Sequence, residues 1–165
     1  MGGSAGGNIA YHVGLSAAEQ VDNLLPLKIK GLILHQPFFG GAERTESELR
    51  SIDAPGFPPC VSHLMWELSL PIGVDSDHEY CNPMVGSCSN DFEKIKRLRW
   101  RVFVAGCHGD QLIDHQIKVV KMMEEAELHV VTRFLEGGCH ALELFDHSKA
   151  KELYGALKDF MLSSF

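Results

Sequence analysis

Gly2-Gly3-Ser4-Ala5-Gly6 has the spacing G-x-S-x-G. This pattern sets a serine on a sharp strand-to-helix turn, a nucleophile elbow. Glycines relieve the crowding of the turn, and the helix behind it aims free backbone N–H groups at the site. A serine held this way attacks acyl carbon when an imidazole takes its proton and a carboxylate orients the imidazole. The Ala5 amide is then a donor for a developing oxyanion. The partners come from two later loops: Asp110 in Gly106-Cys107-His108-Gly109-Asp110, and His140 in Glu136-Gly137-Gly138-Cys139-His140. Asp114 is the rival acid, but it falls inside the following helix, where a first-turn carboxylate serves as a cap. Five-residue motifs occur by chance, and by itself this one also reads as a flexible glycine-rich terminus. Phosphate loops are excluded, since no lysine precedes Lys28 and no G-x-G-x-x-G register fits. Cys107, His108, Asp110 and His140 lie close in sequence, yet no C-x-x-C or H-E-x-x-H spacing accompanies them, so neither a metal nor another cofactor is expected. Cys139 reads as a packing residue.

These residues need elements to position them. Ala5 to Leu15 has helical spacing, with Gly14 as a stop, and Ser16 to Lys30 is a connection. Ile29 to His35 is a short apolar run that fits a strand covered on both faces. Glu43 to Ser87 is irregular, carries Pro55, Pro58, Pro59, Pro71 and Pro83, and holds one helical piece, Cys60 to Leu70. A stretch of this kind reads as a lid or binding loop. Trp100 to Gly106 is a second strand, Ile113 to Ala126 a helix, Glu127 to Leu135 a third strand, and Ser148 caps a final helix. The order is α/β, with about three parallel strands joined through helices. Asp110 and His140 each follow a strand, and parallel strands bring their C-terminal ends to one edge. Serine, acid and histidine thus occur in the chain order of the α/β-hydrolase fold. Phe38, Phe39, Met65 and Trp66 are candidate apolar walls for a substrate. The opening glycines lack a visible strand before them, so the segment is either an untethered tail or the later part of a longer protein.

The 165 residues are 45% apolar and 22% charged with a formal net charge of −7, which is a globular composition without a basic footprint for nucleic acid or anionic lipid. No apolar run is long enough to cross a bilayer, and no signal peptide is evident. Five scattered cysteines point to reduced thiols in a cytoplasmic compartment.

Several stretches in order resemble the plant carboxylesterase family, of the hormone-sensitive-lipase-like branch of the α/β hydrolases. They are GGSAGGNIAYH at 2–12, LHQPFFGGAERTESE at 34–48, DHEYCNP at 77–83, GDQLIDHQ at 109–116 and EGGCHALELFD at 136–146. The resemblance spans essentially the whole chain. It implies a partial α/β-hydrolase fold corresponding to the C-terminal portion of the domain, residues 1–165, with a lid-like insertion at about 43–87. It also implies Ser4 as nucleophile, His140 as base and then acid, Asp110 as orienting carboxylate, and a small-molecule ester as substrate. Three departures stand out. Gly3 replaces the family's usual Asp, Gln111 replaces the usual Pro, and the family's upstream H-G-G-G loop, which supplies most of the oxyanion hole, is not among these residues. An impaired oxyanion hole and self-association through an exposed sheet edge are therefore expected. Two other readings stay open: a hormone-receptor-like binding protein, since the related gibberellin receptors bind without hydrolysis and lack the histidine, and an inactive fragment. Relatives that dehydrate hydroxyisoflavanones use the same three residues.

Overall fold

The computed structural model describes residues 1–86 and 89–163, apart from the side chains of 89–91. The expected end of the insertion, Ser87, and one of the five cysteines, Cys88, lie outside the described residues. Four strands form one parallel sheet in sequential order: β1 (Gly2–Gly3), β2 (Gly31–His35), β3 (Arg101–Cys107) and β4 (His129–Leu135). To the three parallel strands expected from the sequence the structure adds the short β1. Its two residues pair with Leu34 and His35, so the opening glycines are tethered to the sheet.

The helix after β1 is α1 (Ala5–Glu19), which runs on beyond Gly14. Gly14 is not a stop. A Cβ there would lie 2.6 Å from both Leu32 methyls, so the glycine lets α1 lie close against β2. Between β2 and β3 come α2 (Glu46–Arg50), α3 (Pro59–Ser69) and α4 (Ser89–Arg97). Sequence reading finds only α3 here. The short α2 is fixed by a capping box, in which Thr45 accepts from the Glu48 amide and Glu48 accepts from the Thr45 amide. Its Thr-x-x-Glu signature is visible in the sequence. The last helices are α5 (Ile113–Glu125) and α6 (His147–Leu162); Asp146 rather than Ser148 caps α6, accepting from the amides of Ser148 and Lys149.

Strand alternation divides the core. Leu32, Leu34, Val102 and Val104 face α1, α4 and α5, where Tyr11, Phe92, Ile95, Val119 and Met123 are buried. Ile33, Phe103 and Ala105 face Leu153, Leu157 and Phe160 of α6. The central strands are covered on both sides, which is why they read as continuous apolar runs. A third cluster of Phe38, Trp66, Cys81 and Leu112 sits where the insertion meets the sheet.

Candidate active site

Ser4 stands between β1 and α1 with φ 52° and ψ −123°, a left-handed backbone that a side chain adopts only under constraint. The constraints are visible. Its amide donates to the His35 carbonyl at 2.9 Å, and its carbonyl accepts from Phe38 at 3.0 Å and from Gly7 at 2.9 Å. The glycines around it are not equivalent. A Cβ on Gly2 would sit 1.9 Å from the Gly6 carbonyl oxygen, and one on Gly7 would sit 2.9 Å from Pro37 Cα. A Cβ on Gly6 would meet nothing within 4 Å. Crowding therefore demands glycine at positions 2 and 7, but not at Gly6 of the five-residue motif.

The acid and histidine loops are laced together where β3 and β4 end. His108 donates to the Leu135 carbonyl at 2.9 Å, and Gly109 to that of Gly137 at 3.0 Å. A Cβ on Gly109 would come within 2.0 Å of the Gly138 oxygen, so only glycine permits this approach. The Asp110 side chain is 0% exposed. Such burial is tolerable for a carboxylate because both oxygens are engaged: Oδ1 accepts from the Leu112 amide at 3.1 Å, and Oδ2 lies 2.7 Å from His140 Nδ1. On the other side of the ring, His140 Nε2 lies 2.9 Å from Ser4 Oγ. Three side chains from positions 4, 110 and 140 thus form one hydrogen-bonded line. Asp114 is engaged elsewhere, accepting from the Ser47 amide at 2.7 Å.

Phe57 of the insertion lies over the imidazole, its ring centroid 4.9 Å from that of His140 and 6.0 Å from that of Phe38. Gln111 fastens this segment. Its side-chain amide donates to the Phe57 carbonyl at 2.7 Å and accepts from Ser62 Oγ at 3.3 Å, while its carbonyl accepts from Ser47 Oγ at 2.7 Å. Phe38 and Trp66 stack in parallel at 4.9 Å. Together with Met65 and Ala5 they line an open groove of roughly 700 Å³ along α1. Phe39 is not part of that wall. Its ring is buried edge-on against Tyr11 at 5.4 Å, in the core beneath α1. Cys139 does not pack either, since it is exposed. Among the described residues the buried thiols are Cys81 and Cys107, which burial pushes up to about 12 and about 11.

The family model for the alpha/beta hydrolase fold matches residues 1–144. The chain belongs to this family. It is 51% identical to carboxylesterase 20 of Arabidopsis thaliana over 163 residues, which cover 99% of this chain and 50% of that protein. A 3-O-acetylpapaveroxine carboxylesterase of Papaver somniferum is 45% identical over 161 residues, 98% of this chain and 51% of that one. A gibberellin receptor of Arabidopsis thaliana is 36% identical over 136 residues, 82% of this chain and 37% of the receptor. Among solved structures, a thermostable esterase from Pseudomonas putida superposes with a TM-score of 0.68 at 21% identity, covering 84% of this chain and 40% of that one. This hydrolase-fold chain spans about half the length of the curated relatives it matches.

Sequence reasoning missed the polar residues that hold the frame. Asn8 donates to the carbonyls of Phe38 and Tyr80 at 3.0 and 2.8 Å, and Gln116, fully buried, donates to that of Pro37 at 3.3 Å. The signal for Gln116 was present, because it is a polar residue on the apolar face of α5, flanked by Ile113 and Val120. Phe57 and Gln36 carried no such signal.

Proposed function

We propose that this chain carries the reacting groups of a carboxylic ester hydrolase that cleaves a small-molecule ester by Ser-His-Asp acyl transfer. The observation that carries the reading is the continuous line from Ser4 Oγ through both ring nitrogens of His140 to Asp110 Oδ2, at 2.9 and 2.7 Å. Ser4 Oγ attacks the ester carbonyl as Nε2 takes its proton, and the buried carboxylate of Asp110 steadies the imidazolium. His140 then passes the proton to the departing alcohol. Water repeats the sequence on the acyl-serine and releases the acid. The step requires no metal or organic cofactor.

Ala5 opens α1, where first-turn amides lack a carbonyl one turn earlier, and it lines the groove. Its N–H is the proposed oxyanion donor. A polypeptide of only these 165 residues would lack the upstream donor loop, and the loss of one such donor costs about 100- to 1000-fold in turnover. Phe38, Met65 and Trp66 form the proposed substrate wall, and the insertion carrying Phe57 the lid. Unpaired thiols at Cys60 and Cys139 support a reducing, cytoplasmic setting. No helix among the described residues is long and apolar enough to cross a membrane. Self-association through the edge strand β1 is proposed on the same reading.

Receptor-like binding without hydrolysis is the second reading, supported by the receptor relatives. A fluorophosphonate probe separates the two. Labelling confined to Ser4, and abolished in Ser4→Ala and His140→Ala, is expected. Well-folded protein that stays unlabelled under conditions that label a standard serine esterase would overturn the hydrolase reading.

A further inference from the structure

The turn that ends β2 grips both the nucleophile and the loop bearing the base. Its His35 carbonyl and Phe38 amide hold the two backbone polar groups of Ser4. Its Gln36 side chain reaches the other way. Oε1 accepts from the Ala141 amide at 2.7 Å, and Nε2 donates to the Cys139 carbonyl at 3.2 Å and contacts Cys107 Sγ at 3.3 Å. The two peptide groups bound are those on either side of His140. We propose that Gln36 is the positioning residue for His140, clamping its backbone at both flanks and fixing the imidazole relative to Ser4.

The loop around His140 needs such a tether. Gly137, Gly138 and Ala141 all have positive φ, and the Leu142 amide (3.2 Å) and Cys107 Sγ (3.3 Å) reach only the Cys139 carbonyl, so the Ala141 amide on the far side of the histidine depends on Gln36. Gln36 itself is 3% exposed and sits at φ 41°, an uncommon backbone for a residue with a side chain. Its own amide is held by the Ala105 carbonyl at 2.6 Å, and Gln116 anchors the carbonyl of the next residue, Pro37. The backbone from which the Gln36 side chain springs is thus fixed on both sides. A buried amide in a disfavoured backbone, with both ends used on the residues flanking one histidine, serves that histidine rather than general packing.

The inference rests on the reading of Ser4, Asp110 and His140 as a reacting set, and its test is arranged to fail separately. Gln36→Met keeps the length and removes all three side-chain hydrogen bonds. Gln36→Asn keeps tolerance for the left-handed backbone but draws the amide back by about 1.5 Å, one carbon–carbon bond, and serves if the first variant does not fold. Three quantities are measured in the full chain: the rate of Ser4 labelling by a fluorophosphonate, the low-field proton resonance of His140 Nδ1–H, and hydrogen exchange at the Ala141 amide. Expected are labelling slowed about 10- to 100-fold, as for a reacting group displaced by an ångström, a broadened or lost low-field signal, and faster exchange at Ala141 with unchanged protection in β3. Parent-like labelling and an unchanged low-field signal in a folded variant would overturn the proposal. If the parent itself stays unlabelled, the hydrolase reading falls, while the resonance and the Ala141 exchange still decide the role of Gln36.

Discussion

Asp110→Asn tests the site most sharply, because the surroundings dictate which way the new amide turns. In the parent, Oδ1 accepts from the Leu112 amide at 3.1 Å and Oδ2 faces His140 Nδ1 at 2.7 Å. Leu112 still needs an acceptor in the variant, so the carboxamide oxygen stays on its side and the NH2 group replaces Oδ2. An N–H then points at Nδ1, which must accept. The imidazole proton moves to Nε2, which now donates toward Ser4 Oγ and cannot take its proton. Turning the amide round would set two donors face to face in a fully buried position, at a cost of about 1–3 kcal/mol. The inert arrangement is therefore favoured by about 5- to 150-fold. Loss of the negative charge opposite the imidazolium adds to this, and the total approaches roughly 10⁴-fold. The assay is the second-order rate of Ser4 labelling followed by intact mass, with circular dichroism to show that the fold persists. A folded Asp110→Asn variant labelled within tenfold of the parent would refute the argument.

Three further outcomes follow from the geometry. Gly2→Ala should strongly depress Ser4 labelling, because its Cβ would lie 1.9 Å from the Gly6 oxygen, while Gly6→Ala meets nothing within 4 Å and should label normally; a reversed order would refute the assignment of crowding. Burial pushes Glu48 up, but hydrogen bonds from His115 and Thr45 outweigh it and hold its carboxyl below the ordinary value of 4.5. Its stabilisation is therefore present above about pH 4.5 and lost as pH falls through the lower folded value. Glu48→Gln should cost about 1.5–3 kcal/mol near neutral pH, roughly 3–12 °C in Tm, and the gap should narrow toward pH 3 as measured by thermal melts. Iodoacetamide at pH 8 should modify the exposed Cys60 and Cys139 but spare Cys81 and Cys107, held at about 12 and about 11, until denaturant is added; peptide mapping reads the result.

Much of the frame was legible because the strands are covered on both faces and the long helices carry clear stripes. Val102, Val104, Ile113 and Val120 could be placed from spacing alone. Ser4 could be chosen from G-x-S-x-G, and Asp110 and His140 because each follows a strand and parallel strands share an edge. What escaped was governed by contacts distant in sequence. The two residues of β1 are too few for any periodicity, and only pairing with Leu34 and His35 makes them a strand. Gly14 looked like a helix end because local propensity cannot register Leu32 pressing on it. Phe39 looked like Phe38, since nothing nearby says which of two adjacent rings turns toward the core. Gln36 and Gln111 hydrogen-bond to partners 105 and 54 residues away.

The sheet is laced unevenly. Seven residue pairs join β3 to β4 and five join β2 to β3, but only two join β1 to β2. Histidine and acid thus stand on the most thoroughly stitched half of the platform, and the serine stands on its thinnest seam. On warming, that seam is expected to loosen first. A heated sample should therefore lose reactivity toward a serine probe before its ellipticity falls and regain it on cooling, which labelling during a thermal ramp would show.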